Sequence, residues 1–411
     1  MKVLLINKYH YLKGGVERSY FDTAKILADH GHKLAFFSTK HPKNRPSRWS
    51  KYFVDGIDYD DKISLGQKIK AVANILYNFQ ANKNLEKLIL EFKPDIAHLH
   101  GIYHQLSPSI INVLKKHDIP VVMTLHDYKL ICPNYNLFVR GKIWERSRKH
   151  KYYMAFFDKA VKDSYLKSLV CALEAYLHKL LGLYEKIDLF ISPSQFLIDK
   201  FKEFGFKKKI VLLRPALIIE DKYTEKAAAT EKEKYILYFG RLSQEKGVDE
   251  LINSYALLKT DCKLKIAGAG SEMASLKKLA LDKGLADKII FCGHKDGAEL
   301  IDLIKSAEFI VMASRWQENC PYSVLEAKYF GKTVIVPRLG GLPEIIDNKT
   351  DYLYESGDIK SLAEIMLGLL TNSEKSANLK RLSDKMNMEQ YNPEIHYKFL
   401  IYIYQMLLKG A

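Results

Sequence analysis

Short apolar runs alternate with amphipathic stretches from one end of this chain to the other, a pattern that predicts parallel sheets covered by helices. The first half offers strands at residues 2–7, 33–38, 96–100, 121–126, 189–192 and 210–214, with helical periodicity between them. A second series follows at 235–240, 264–267, 289–292, 309–313 and 334–336. Between the two series lies "IIEDKYTEKAAATEKEK", residues 218–234, which is charged, alanine-rich and free of strand-like alternation, so it reads as a link. The expected fold class is therefore α/β, with two doubly wound domains at residues 1–217 and 235–390.

The alternation fails over residues 128–187, where a basic, mixed segment precedes a strongly helical one at 166–184; this reads as a helical insert in the first domain. At the other end, Tyr397, Leu400, Ile401, Tyr404 and Leu408 recur at helical spacing. Residues 391–411 should form a closing helix that packs back on the N-terminal domain.

Composition agrees with two soluble domains, because 411 residues exceed the roughly 250–300 that one core supports. No apolar run approaches the roughly 18 residues of a membrane span, and the short run after Met1 fits a strand better than an export signal. The five cysteines, at 132, 171, 262, 292 and 320, are odd in number and lack paired spacing. That argues for reduced thiols in a cytoplasmic protein, with neither disulfide nor zinc. The net charge of +16 implies an anionic partner or simply a lysine-rich solvated surface. Residues 140–186 carry eleven Lys and Arg against five Asp and Glu, but the aromatics there do not alternate with the cations as a base-stacking platform requires. An anionic membrane surface fits this segment better than nucleic acid does.

The chemistry concentrates in "SRWQENCPYSVLEA", where Glu318 and Glu326 flank Pro321. Proline suits the first position of a helix, so the helix should begin between the two acids and offer its unpaired first-turn amides to phosphate. In "FGRLSQEKG", Arg241 and Lys246 fall between a strand and a helix, where a planar fork and a point charge together suit a diphosphate. Surface residues near a turn would look the same. Gly14 and Gly15 follow the first strand, where bare backbone can approach phosphate or sugar, although most such pairs only turn the chain. His126, followed by Asp127, ends the fourth strand; a cap or a satisfied core histidine is the plainer reading. Gly268 and Gly270, with Asp287 about twenty residues on, mimic a dinucleotide fingerprint. Met273 and Ala274 stand where its third glycine belongs, and nothing resembles a hydride-transfer site, which argues against a dehydrogenase.

Taken in order, "GGVERSY", "TLHDY", "GRLSQEKG", "AGAGSE", "SRWQENCPYSVLEA" and "RLGGLPEII" resemble a bacterial family 4 glycosyltransferase of the GT-B type, over nearly the whole chain. The resemblance implies two Rossmann-like domains facing across a cleft and a retaining transfer of sugar from a UDP- or GDP-linked donor, without a metal or other cofactor. It implies that Arg241 and Lys246 bind the donor diphosphate, with the amides of Tyr322 and Ser323 in support, and that Gly240 and Gly268 also belong to the donor site. Glu318 would hold the donor sugar, Glu326 the ribose, and the loop of Gly293, His294 and Lys295 the base. Gly14 and Gly15 would approach from the N-terminal domain, and His126 would lie near sugar and acceptor. The catalytic set is then His126, Arg241, Lys246 and Glu318, with a front-face path in which the leaving phosphate helps deprotonate the acceptor hydroxyl.

Two departures from the family pattern qualify this. Asn319, Cys320, Pro321 and Tyr322 replace the usual glycine-aromatic run, a variant associated with surface polysaccharide assembly, which leaves donor preference open. Trp144 and Ser147 stand in "RGKIWERSRKH", where similar sequences often carry cysteines, so a metal-stabilised insert is not expected. The expected function is hexosyl or N-acetylhexosaminyl transfer to a saccharide or polyprenyl-linked acceptor, in the cytoplasm at the inner face of the membrane. The rivals are a noncatalytic nucleotide-sugar-binding subunit and a nucleotide-sugar epimerase of the same fold.

Overall fold

A computed structural model describes residues 1–56, 64–220, 234–347, 349–372 and 388–410. The chain divides into two compact units, one of Met1–Val139, Trp144–Ala216 and Gln390–Ala411, the other of Arg140–Ile143 and Leu217–Glu389. Most of the expected link, at 221–233, lies outside the described residues.

In the first unit β1 (Lys2–Ile6), β2 (Lys33–Phe37), β3 (Ile96–Leu99) and β4 (Val121–Thr124) build the sheet. After the short β5 (Phe138–Val139), and β6 (Lys142–Ile143), which falls in the second unit, β7 (Leu189–Ser192) and β8 (Ile210–Leu212) complete it. The strand order is β2-β1-β3-β4-β7-β8, every pairing parallel. All residues of β3, β4 and β7 are buried, as expected of strands covered on both faces, which read as continuous apolar runs.

The second unit contains β9 (Tyr235–Phe239), β10 (Lys263–Ala267), β11 (Ile289–Gly293), β12 (Phe309–Val311), β13 (Val334–Pro337) and β14 (Tyr352–Tyr354). Its order, β11-β10-β9-β12-β13-β14, is again parallel throughout. The chain winds outward from β9 in one direction and then restarts at β12 on the other side. Ligands of open α/β sheets bind outside the strand carboxyl ends at such a reversal.

Each unit has its own core. Leu264, Ile266, Val311 and Ile335 of the second sheet pack with Leu251, Tyr255, Leu362 and Met366 from its helices. In the first, Val3, Leu5, Ile96 and Val122 pack with Leu27 and with Leu400, Ile403 and Tyr404 of the C-terminal helix Pro393–Lys409. Asn392 starts that helix by accepting from the amides of Glu394 and Ile395, with proline in the first turn.

All eleven strands read from the pattern are present, and β5, β6 and β14 are additions too short to show a period. Pro321 sits one place earlier than expected. With ψ at 126° it is the extended residue before the helix Tyr322–Tyr329, where its missing N–H is equally harmless. The insert helix spans Tyr165–Leu180, and a separate 3-10 turn holds Tyr184–Lys186. Among the described residues no helix is long and apolar enough to cross a membrane.

Candidate functional site

At the strand reversal of the second unit, Lys246 and Glu318 form an ion pair. Lys246 ends a 3-10 turn, Gln244–Lys246, that follows β9, and Glu318 lies on the loop that follows β12. Glu318 is buried, and the Ser314 hydroxyl donates to the same carboxylate oxygen at 3.0 Å. The Trp316 ring lies 5.6 Å from the Lys246 ammonium. The two loops are tied together by backbone, because the Arg315 amide donates to the Glu245 carbonyl at 2.9 Å. The Arg315 side chain adds bonds to Glu250 at 2.5 Å and Asp249 at 2.6 Å on the next helix. Within this polar nest the Ser243 hydroxyl and the Trp316 indole N–H are buried without a hydrogen-bond partner among the described residues. Such groups are costly to leave unmade and are what a polar ligand satisfies.

Close approach explains the glycines here. Gly247 has φ of 61°, and a Cβ there would run into the Ala313 carbonyl. A Cβ on Gly268 would strike the Gly240 carbonyl, which brings the ends of β9 and β10 together. The Gly268 amide donates to Gly293 at 2.7 Å, adding the end of β11. Arg241 is exposed and pairs with Glu245 at 2.9 Å, one turn of loop before Lys246. Tyr322 and Ser323 head the helix Tyr322–Tyr329, whose ladder begins with Val324 donating to Pro321, and Glu326 is half-buried in its second turn. His294 and Lys295 are engaged locally, His294 beside Asp296 at 3.6 Å and Lys295 with Glu299 at 3.1 Å.

In the first unit the corresponding reversal lies between β1 and β3. Asn7 spans it, accepting from the Gly101 amide at 2.9 Å and donating to Glu17 at 3.4 Å. Gly14, the residue before helix Gly15–Asp29, has φ of −175° and room for a Cβ, so the local fold does not itself demand glycine there. His126 lies two residues beyond β4, and its Nε2 is 2.9 Å from His100 Nδ1 with the rings stacked. His98 stacks in turn on His100 and bonds Tyr404 at 2.6 Å and Thr124 at 2.7 Å. Burial, and then the Lys8 charge, pushes the His126 pKa down to about 3; burial, then His126 and His396, brings His98 to about 3. All three rings are thus neutral. One of each bonded nitrogen pair must donate, and His100 Nε2 has no partner. A buried bare acceptor is tolerated better than an orphaned N–H, so His100 donates from Nδ1 and His126 accepts at Nε2.

Beside this ladder, Tyr103 donates to Asp127, and Asp127 accepts the Lys129 amide at 2.9 Å. The Lys129 ammonium is buried 2.7 Å from Glu174, which also bonds His104 at 3.1 Å. Burial opposes ionisation of Glu174, yet Lys129 and His104 hold its carboxyl far below the ordinary range. Donor atoms of His104, Cys171 and Glu174 lie within 4.8 Å of one another, the spacing of a metal cluster, but the lysine already supplies the positive charge.

The structure therefore joins Lys246 to Glu318 and gathers Gly240, Gly268 and Gly293 at neighbouring strand ends. Ser314, Trp316, Asn7 and His100 were missed in the sequence. Ser314 follows a buried strand, a position that could have marked it.

Comparison with known proteins identifies the family and the fold. Residues 13–218 match the family described as Glycosyltransferase Family 4, and residues 219–386 match Glycosyl transferases group 1. An uncharacterized 42.6 kDa protein of the cps region of Klebsiella pneumoniae is 27% identical over 84% of this chain and 87% of its own. A Campylobacter jejuni protein named N,N'-diacetylbacillosaminyl-diphospho-undecaprenol alpha-1,3-N-acetylgalactosaminyltransferase is 27% identical over 44% of this chain and 47% of its own. Among solved structures, Anabaena HepE in complex with UDP and glucose superposes with a TM-score of 0.65 at 15% identity, covering 99% of this chain and 100% of that one.

Proposed function

This chain belongs to glycosyltransferase family 4, and from that premise we propose that it is a retaining enzyme moving a hexosyl or N-acetylhexosaminyl group from a UDP- or GDP-sugar to a saccharide or polyprenyl-linked acceptor. Its place would be surface polysaccharide assembly, in the cytoplasm and peripheral to an anionic membrane face. The observation that carries the reading is the Lys246–Glu318–Ser314 constellation at the β9/β12 reversal, with Glu318 and Ser314 buried and Lys246 half-buried.

Lys246 and Arg241 would take the donor diphosphate. Arg241 leaves only an exposed pair with Glu245 to do so, a loss of about 0–1 kcal/mol. Lys246 is aimed by Glu318, whose carboxylate would also accept from sugar hydroxyls. The amides of Tyr322 and Ser323 at a helix start favour the phosphate, and Glu326, a turn further, would hold the ribose. Gly240 and Gly268, whose missing side chains let the ends of β9 and β10 close up, would border the diphosphate, and Gly293, His294 and Lys295 would border the base. In the first unit Gly14 and Gly15 would admit ligand to the backbone, and neutral His126 would orient a hydroxyl of sugar or acceptor. The developing negative charge on the leaving diphosphate is offset by the two cations without a metal. The Campylobacter name, which specifies a lipid diphosphate acceptor, and the UDP and glucose bound to HepE support the substrate classes.

Thermal-shift titration with UDP-, GDP- and ADP-sugars tests the donor, since a ligand of the folded state raises the midpoint by mass action. One base should stabilise the chain, and Glu326→Ala should remove the shift. Product analysis by NMR should show retained anomeric configuration. Turnover of donor into another free nucleotide sugar would favour an epimerase, and binding without acceptor-dependent nucleotide release a noncatalytic subunit.

A further inference from the structure

The helix Tyr165–Leu180 is inside out. Its inward face carries Ser168, Cys171, Glu174 and His178, all buried. Leu166, Leu169, Leu173, Tyr176 and Leu180, at spacings of three and four, are exposed, Leu166 to 67%, Leu173 to 54% and Leu180 to 85%. The patch runs on without a break. Phe156 packs 5.2 Å from Tyr165, the Tyr153 amide donates to the Tyr176 hydroxyl at 3.4 Å, and Tyr153 and Phe157 are themselves exposed. A contiguous apolar stripe of this kind marks an interaction surface.

Charge selects the occupant. Lys162 and Lys179 bracket the stripe, Lys149 and Lys151 are exposed nearby, and Lys159 lies 4.5 Å over the Tyr165 ring. Over residues 140–186 the only exposed acids are Asp163 and Glu185. A second copy of the chain docked face to face would bring these cations against each other. An anionic bilayer surface instead neutralises them, accepts the leucines below the headgroups and suits tyrosine and phenylalanine at the boundary. We propose that helix Tyr165–Leu180, with Tyr153 and Phe157, is the element by which this protein lies on an anionic membrane. This deepens, and for its purpose rests on, the reading that the acceptor is lipid-linked. It also moves the contact from bulk positive charge to a specific apolar stripe.

Cosedimentation of the full chain with vesicles of phosphatidylcholine, alone or mixed with phosphatidylglycerol, tests it. The wild type should bind the mixed vesicles, less at high salt. Leu166→Gln with Leu173→Gln should bind at least about tenfold more weakly, because two exposed leucines lose their transfer into the bilayer. Its circular dichroism and melting should be unchanged, since both residues face solvent; Leu180→Gln, at the most exposed position, serves as the second variant. Lys162→Glu with Lys179→Glu should abolish the preference for phosphatidylglycerol. Absence of vesicle binding, leucine variants that bind like the wild type, or a leucine-dependent dimer in light scattering would each overturn the proposal. Vesicle binding needs neither donor nor acceptor, so its failure is separate from that of the functional reading. If the stripe binds vesicles while a polyprenyl-linked acceptor is never used, the acceptor assignment is what falls.

Discussion

Replacing Lys246 by methionine should unfold the second unit more easily as well as stop catalysis. Glu318 is 5% exposed, and the Lys246 side chain shields it at 17% exposure, so the carboxylate left behind has little access to water. Removing one partner of a buried pair costs about 3–5 kcal/mol. Ser314 still donates to Glu318 at 3.0 Å, which places the expected loss at the low end, about 3 kcal/mol. For a unit of this size each kcal/mol moves the midpoint by about 2–4 °C, so the melting temperature should fall by about 6–12 °C. Adding Glu318→Gln removes the stranded charge, and the double variant should be less destabilised than the sum of the singles by about 1–3 kcal/mol. Urea unfolding of the four proteins measures this cycle. A loss below about 1 kcal/mol in Lys246→Met, or additivity within about 0.5 kcal/mol, would mean that the pair behaves as an exposed one and that Glu318 does not aim Lys246.

Three further expectations concern the first unit. His100→Phe keeps the stack and removes only the bond to His126, so 15N spectra of labelled histidine should show the His126 tautomer change, with kcat reduced at least about tenfold and the donor KM unchanged. Glu174→Gln strands the buried Lys129 ammonium and should cost about 3–5 kcal/mol in urea unfolding, a loss that Lys129→Met in the same chain partly restores. Acid should destabilise this unit early: His98 and His126 are held at about 3 and His10 at about 4, mainly by burial, so the unfolded chain takes up protons first as pH falls below about 6.5. Stability is then complete above about pH 6.5 and is lost toward pH 4, by up to about 1.4 kcal/mol per pH unit for each histidine; a urea midpoint that is flat between pH 7 and 5 would refute that.

The strands were legible because they are buried on both faces, and an unbroken apolar run such as Val121–Thr124 leaves little else to propose. What escaped were pieces with no period, the three residues of β14 and the two residues each of β5 and β6. The site divides along a similar line. Lys246 and Glu318 stand out because each lies in a loop after a strand, next to a helix start. Their pairing across 72 residues is a product of sheet order, which no local pattern contains. His100 carried no signal of its own, since a histidine closing a buried strand looks like any satisfied core group until the neighbouring strand places His126 against it.

The insert helix owes its orientation to more than its own periodicity. Periodicity reveals two faces, one of leucine and tyrosine and one of serine, cysteine, glutamate and histidine, and hydrophobic burial alone would turn the first inward. The opposite orientation is decided by Lys129, 45 residues away, whose buried ammonium needs Glu174 and cannot be left unpaired. An ion pair inside the unit thus holds an apolar stripe outside it. The stability of the first unit and the membrane contact proposed for it depend on the same helix orientation. Glu174→Gln should therefore weaken vesicle binding as well as folding, whereas the leucine substitutions should weaken vesicle binding alone.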